Sequence, residues 1–151
     1  MKPALIGRGI VAGFAATAVL SAMMVMKQSM GLMPELNPIA TIAEMAGAGS
    51  LLVGWIGHLV IGTVFWGAGF AIVSPYLPGS YWLRGSIFAA GAWLMMMLVV
   101  MPMSGSGLFG LRLGMMTPVA TFVLHIVFGL VLGGVYSLLG GGQTTTARYS
   151  R

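Results

Sequence analysis

Four long apolar segments dominate this sequence and leave little of it outside a membrane. At about 1.5 Å per helical residue, crossing a hydrocarbon core roughly 30 Å thick takes about 20 predominantly apolar residues. Four runs approach that length, approximately Leu5–Met26, Leu51–Val73, Gly85–Met101 and Thr117–Leu139. The mean hydropathy of +1.00 and the charged fraction of 6% agree with them. We therefore predict an all-α, four-span protein in a lipid bilayer, with residues 1–151 forming one domain.

The distribution of basic residues predicts the orientation of these spans, because Lys and Arg concentrate on the cytoplasmic side. If both termini lie inside, five basic residues are cytoplasmic and only Lys27 and Arg112 are external. We expect this arrangement in a bacterial inner (cytoplasmic) membrane, which explains the net charge of +5 without a nucleic-acid partner. The first segment has the basic start of a signal peptide, but we expect it to be retained because a later segment repeats its pattern.

The chain reads as a duplicated helical hairpin. Arg8-Gly9 opens the first segment and Arg84-Gly85 the third, and each is followed by small residues, a methionine-rich stretch, a loop and a histidine-bearing segment. We predict repeats over about 4–74 and 83–140, related by a pseudo-twofold axis along the membrane normal. The first copy has an extra external element at 34–47, where Asn37 is predicted to cap a short helix. Residues 140–151 are predicted to form a flexible cytoplasmic tail.

The only two histidines lie in a repeated motif, His-x-Val-x-Gly-x-Val-x-x-Gly, which runs from His58 to Gly67 and from His125 to Gly134. Both are predicted to lie roughly 10 to 12 Å into their helices from the external ends. Residues four positions away share a helix face. Those neighbours are small, so we expect a shallow groove on the helix surface beside each histidine. The candidate cofactor-binding residues are therefore His58, His125, Gly54, Gly62, Thr121 and Gly129.

Three interpretations of the histidine pair stay open. Small residues at this spacing let membrane helices approach closely, and a buried histidine then contributes about 1 kcal/mol through a hydrogen bond across the contact. Alternatively, His58 and His125 are the two axial ligands of a haem b held between the second and fourth spans. A third possibility is proton handling, although no acidic residue lies within the spans.

The methionines suggest a different cofactor, Cu(I). The chain has 14 of them, and Met26 with Met30 and Met97 with Met101 place two thioethers on one helix face. Thioether and imidazole ligands together suit Cu(I). The candidate metal set is therefore His58 and His125 with these four methionines. Methionine is also a flexible filler in apolar packing, so this site competes with a purely structural interpretation.

Catalysis is not expected. The chain has no cysteine, no carboxylate pair within its spans, and no arrangement of serine, histidine and acid. Hydrolytic and nucleophilic chemistry therefore lack their functional groups, and we predict that the protein is not an enzyme.

Several stretches resemble a bacterial family of small four-span membrane proteins to which no function is assigned. The resemblance covers nearly the whole chain and is carried by the two Arg-Gly openings and by the segments 31–38, 55–58, 107–110 and 124–125. It implies the four-span fold and a retained first helix, and it implies no activity.

These observations predict an accessory or structural subunit of a larger membrane complex, with other membrane-protein subunits as partners. An electron-transfer complex is one candidate setting, in which the histidine pair would be the cofactor site. The alternatives are a stand-alone bis-histidine haem b protein and a Met/His Cu(I)-binding membrane protein.

Overall fold

The computed structural model describes residues 3–141, and the predicted tail from 142 onward lies outside these residues. The helices within the described part are α1 (Pro3–Ser29), α2 (Pro38–Met45), α3 (Leu51–Tyr76), α4 (Tyr81–Met103) and α5 (Thr117–Leu138). A 3₁₀ segment, Leu108–Leu113, lies between α4 and α5. Two helices contain a π-helical turn, at Ile61–Trp66 in α3 and at Met96–Val100 in α4.

The all-α, four-span prediction is confirmed. Four helices, α1, α3, α4 and α5, are long and apolar enough to cross a membrane, and the chain is a multi-pass membrane protein. Each begins at or before the predicted residue, and α1, α3 and α4 end later than predicted. In α1 and α3 the helix continues through polar residues that a count of apolar residues leaves out, and in α4 it continues past Pro102.

The four long helices pack as two hairpins. Helix α1 lies against α3 and α4 lies against α5, while α1 also packs along α5. Helices α3 and α4 meet mainly near the end where α3 stops and α4 begins. The order around the bundle is therefore α3, α1, α5, α4. The core lies where the two hairpins meet and consists of Ala12, Ala16, Phe70, Ala71, Ala89, Phe128, Leu132 and Tyr136.

Glycine allows the two helices of each hairpin to approach closely. A Cβ atom at Gly67 would lie 2.5 Å from the carbonyl oxygen of Gly9, and one at Gly85 would lie 2.9 Å from the backbone nitrogen of Gly133. Since no real side chain tolerates these distances, the backbones are in direct contact, as in other helix pairs built on small residues.

The two copies of the repeated motif use different glycines for these contacts. Gly67, nine positions after His58, meets the Gly9 carbonyl oxygen, whereas in the second hairpin Gly129, four positions after His125, meets the Gly85 carbonyl oxygen. The ninth-position glycine of the second motif, Gly134, instead faces the Trp82 ring.

Two arginines bind backbone carbonyls at one end of the bundle, which we call the Arg8 end, and the Arg8 bond joins the two hairpins. Arg8, near the start of α1, donates from Nη1 to the carbonyl of Gly140, 2.5 Å away and just beyond α5. Arg84, near the start of α4, donates from Nε to the carbonyl of Gly79, 2.9 Å away and just beyond α3. Both glycines have positive φ, which their missing side chain permits. Each arginine thus binds a carbonyl that follows a helix C-terminus. We call the opposite end of the bundle the Lys27 end.

Candidate functional site

His58 links α3 to α1. Its side chain is 9% exposed, and its Nε2 atom lies 3.1 Å from the hydroxyl of Ser21 on α1. The Ser21 hydroxyl in turn donates to the Thr17 carbonyl at 2.8 Å. A hydroxyl has one proton to donate, so His58 must be the donor to Ser21. The neutral ring therefore carries its proton on Nε2 and its lone pair on Nδ1.

His125 makes its hydrogen bond within its own helix. Its Nδ1 atom lies 2.8 Å from the carbonyl oxygen of Thr121, one turn earlier in α5. Because a carbonyl can only accept, Nδ1 of the neutral ring carries the proton and Nε2 presents the lone pair. The two histidines are thus held in opposite tautomers, although their sequence motifs are the same.

The small residues beside His58 contact other helices of the chain. A Cβ atom at Gly54 would clash with the Ile39 backbone in α2, and one at Gly62 would clash with the Thr17 hydroxyl in α1. The groove predicted for a cofactor is therefore filled by protein in this structure. This arrangement matches the packing interpretation of the small residues.

The small residues beside His125 are engaged in the same way. Gly129 is packed against Gly85 and Ala89 of α4. The Thr121 hydroxyl donates to the Thr117 carbonyl at 2.7 Å and accepts from Trp93 Nε1 at 3.1 Å. Both sets of positions predicted to surround a cofactor therefore serve as contact points between helices.

The structure does not bring the two histidines together. His58 faces Ser21 of α1, which lies between α3 and α5 in the order around the bundle. Helices α3 and α5 meet closer to the Arg8 end, where the rings of Phe70 and Tyr136 lie 5.3 Å apart. A haem b bridging the pair stays a prediction, and it requires His58 to change its present hydrogen bond or to coordinate through Nδ1.

The four methionines of the copper hypothesis are also separated. Met26 and Met30 are 56% and 64% exposed on α1, whereas Met97 and Met101 are buried in α4. The Met97 sulfur lies 4.0 Å from the Thr121 hydroxyl, and the Met101 sulfur packs beside Gly110. Among residues 3–141 no group of three or more His, Cys, Asp or Glu residues is arranged to hold a metal. A Cu(I) site built from these residues stays a prediction.

Sequence reasoning missed Ser21 as the partner of His58. The available signal was the Ser21 hydroxyl in a largely apolar, methionine-rich stretch, because a polar group in a membrane helix needs a hydrogen-bond partner. It also missed Trp93, whose indole bonds Thr121. Both partners lie far from the histidine motifs in sequence, so the motif residues alone do not indicate them.

Two of the clefts on the surface of residues 3–141 lie between these helices. One, of about 380 Å³, lies between α1, α2 and α3 at the Lys27 end. The other, of about 310 Å³, lies between α3 and α4, where Phe88 stands between the helices with its ring 5.6 Å from that of Trp66. Neither cleft is lined by a histidine.

Comparison with known proteins supports the expected resemblance to an uncharacterised family. A family model described as a family of unknown function (DUF6789) matches residues 3–147. No curated protein and no solved structure matches the chain.

Proposed function

Because the chain belongs to the DUF6789 family of unknown function, its role has to be argued from its own geometry, and we propose that it is an accessory subunit of a larger membrane-protein assembly. We further propose that the assembly lies in a bacterial cytoplasmic membrane with both termini of the chain inside. The distribution of basic residues supports this orientation.

The observation that carries the proposal is an apolar segment at the Lys27 end, Met103–Met116, which connects α4 to α5 and lies largely beyond both helices. Its large apolar side chains are exposed, at 70% for Met103, 60% for Leu108 and 79% for Met115. Leu111 and Met116 are also exposed. Loops between spans are normally polar, so a run of this kind needs a different explanation.

A partner subunit provides that explanation. Contiguous exposed apolar surface outside a protein core marks an interaction site, and methionine adapts well to a partner surface because it is unbranched and polarizable. The single charged residue of the segment, Arg112, is turned back onto the Gly105 carbonyl at 3.1 Å. The exposed apolar side chains of the segment are therefore available for an apolar partner at that end of the bundle.

The experiment compares complexes isolated from the native membrane in a mild detergent. We expect the wild-type chain to migrate on native gels within an assembly of defined mass and stoichiometry. The variant Leu108→Ser/Leu111→Ser/Met115→Ser should migrate alone, with unchanged helical content by circular dichroism.

The matched control is Leu32→Ser/Met45→Ser, which changes exposed apolar residues of the other loop region at the same end. It should retain the assembly. A wild-type chain that is monomeric and free of partners in nanodiscs and native membrane extracts would refute the proposal, as would equal loss of the assembly in both variants.

A further inference from the structure

The cleft at the Lys27 end has the features of a lipid-binding site. It lies between the last turns of α1, the start of α2 and the first turns of α3, and its volume of about 380 Å³ is within the range of small-molecule sites. Its apolar wall is formed by Met24, Val25, Leu36, Ile39 and Leu51. The cleft is therefore wide enough for a flexible hydrocarbon chain and has the chemistry to hold one.

The cleft is held open by specific hydrogen bonds. Lys27 donates from Nζ to the carbonyls of Leu32, Met33 and Leu36, at 3.1, 2.8 and 2.7 Å. These bonds fix the loop that follows α1. Asn37 then caps α2, its Oδ1 accepting from the Ala40 backbone at 3.1 Å. The wall facing α1 and α3 is thus positioned by the fold and does not depend on a bound molecule.

The polar lining residues are Lys27, Gln28, Ser29, Asn37 and Trp55. Gln28 and Ser29 can both donate and accept. The indole N–H of Trp55 and the amide NH₂ of Asn37 are donors without a hydrogen-bond partner among residues 3–141. Lys27 is the one cation of the lining, and no acid lines the cleft. A ligand with hydrogen-bond acceptors complements the free donors of Trp55 and Asn37. The three N–H groups of Lys27 bond loop carbonyls and Glu35 lies near it, so Lys27 would attract a negative charge on the ligand through its own charge and not through a hydrogen bond.

The position of the cleft matches such a ligand. Trp55 lies one turn into α3, at the depth where tryptophan meets the interface between the hydrocarbon core and the headgroups. At this level a phospholipid has its ester carbonyls, with the phosphate further out and the acyl chain further in. The order of groups along the lipid is therefore compatible with the apolar wall, the two donors and the Lys27 charge.

We propose that this cleft binds one anionic phospholipid, with an acyl chain against the apolar wall, ester oxygens at Trp55 and Asn37, and the phosphate near Lys27. The Trp55 ring lies edge-on to His58, with centroids 6.0 Å apart. The bound lipid would therefore lie one side chain away from the His58–Ser21 pair. This inference does not depend on the accessory-subunit proposal.

The test uses the full chain in nanodiscs of saturated phosphatidylcholine that contain an increasing fraction of a brominated lipid, whose bromines quench tryptophan fluorescence on contact. We expect dibrominated phosphatidylglycerol to quench a component of the fluorescence that saturates at a few mole per cent. Dibrominated phosphatidylcholine should quench only in proportion to its bulk fraction. The variant Trp55→Phe should lack the saturable component, which assigns that component to the cleft.

A matched pair of valines controls for lipid contact in general. Val25 lines the cleft and Val11 does not, and both lie on α1 with 54% and 53% exposure. Val25→Phe should raise the half-saturating fraction of phosphatidylglycerol at least tenfold, whereas Val11→Phe should leave it unchanged. If Val25→Phe does not fold, Leu51→Phe tests the same wall.

Identical quenching by the two brominated lipids would overturn the proposal, as would equal effects of the two valine substitutions. A prenylquinone titrated in the same nanodiscs distinguishes another occupant. Saturable quenching by the quinone, with none by phosphatidylglycerol, would show that the cleft binds a different amphiphile.

Discussion

The Nε2 atom of His58 lies 3.1 Å from the Ser21 hydroxyl, and this contact joins α3 to α1 across 37 positions of sequence. The second copy of the histidine motif differs, because His125 bonds the Thr121 carbonyl of its own helix. The first histidine therefore stabilises the contact between two helices, and the second does not.

Removing the Ser21 hydroxyl should weaken the first hairpin. We expect Ser21→Ala to lower the free energy of unfolding by about 1 kcal/mol, the usual contribution of a side-chain hydrogen bond between membrane helices. Thermal unfolding in detergent measures the change. Ser86→Ala is the control, because Ser86 is partly buried like Ser21 but bonds only the Trp82 carbonyl one turn earlier in its own helix. A double-mutant cycle with His58→Phe should give a coupling energy of similar size, and zero coupling would contradict the assigned bond.

The contact between Gly9 and Gly67 should not tolerate a methyl group. Gly67→Ala would place Cβ 2.5 Å from the Gly9 carbonyl oxygen, so α1 and α3 must separate. Overpacking of this kind costs about 1–3 kcal/mol, which a denaturation curve in mixed micelles would detect. Gly91→Ala is the matched control, since a Cβ there meets nothing within 4 Å and alanine favours helix. Equal destabilisation by both substitutions would show that the helix contact is not the cause.

Lys27 should be needed to order the loop after α1. Replacing it with methionine keeps the length of the side chain but removes the donors to three loop carbonyls. Since hydrogen bonds to a charged group contribute about 1.5–3 kcal/mol, we expect amide hydrogen exchange in segment 31–37 to accelerate at least tenfold in Lys27→Met. Exchange in α5 should not change. Arg112→Met provides the comparison at the same end of the bundle, and unaltered protection of 31–37 in Lys27→Met would contradict the role assigned to Lys27.

The visible spectrum should distinguish packing from haem ligation at the histidines. Because the Nε2 atom of His58 is engaged by Ser21 and its groove is filled by Ile39 and Thr17, we expect protein from its native membrane to lack a Soret band. Metal analysis of the same sample should show no stoichiometric copper. A Soret band that sharpens on reduction and disappears in both His58→Ala and His125→Ala would instead establish haem b.

The number of spans was predictable from sequence, and so was the importance of small residues within them. Both are properties of single segments, since hydropathy and length decide whether a helix can cross a membrane. The group that each small residue contacts was not predictable. Gly67 and Gly134 occupy the same motif position, but Gly67 meets the Gly9 backbone of α1 whereas Gly134 meets the Trp82 ring of α4.

What the sequence by itself determined is the set of apolar helices and the presence of two histidines at matching places within them. Only the tertiary structure decided which groups those histidines meet, because the rotation and neighbours of a helix depend on residues far away in the chain. Ser21 is the hydrogen-bond partner of His58. Residues Ile39 and Thr17 occupy the groove beside His58. Helices α1 and α2 leave an open cleft between them beside Trp55. Close packing allows only one group at each place, so it determines which residues contact each histidine.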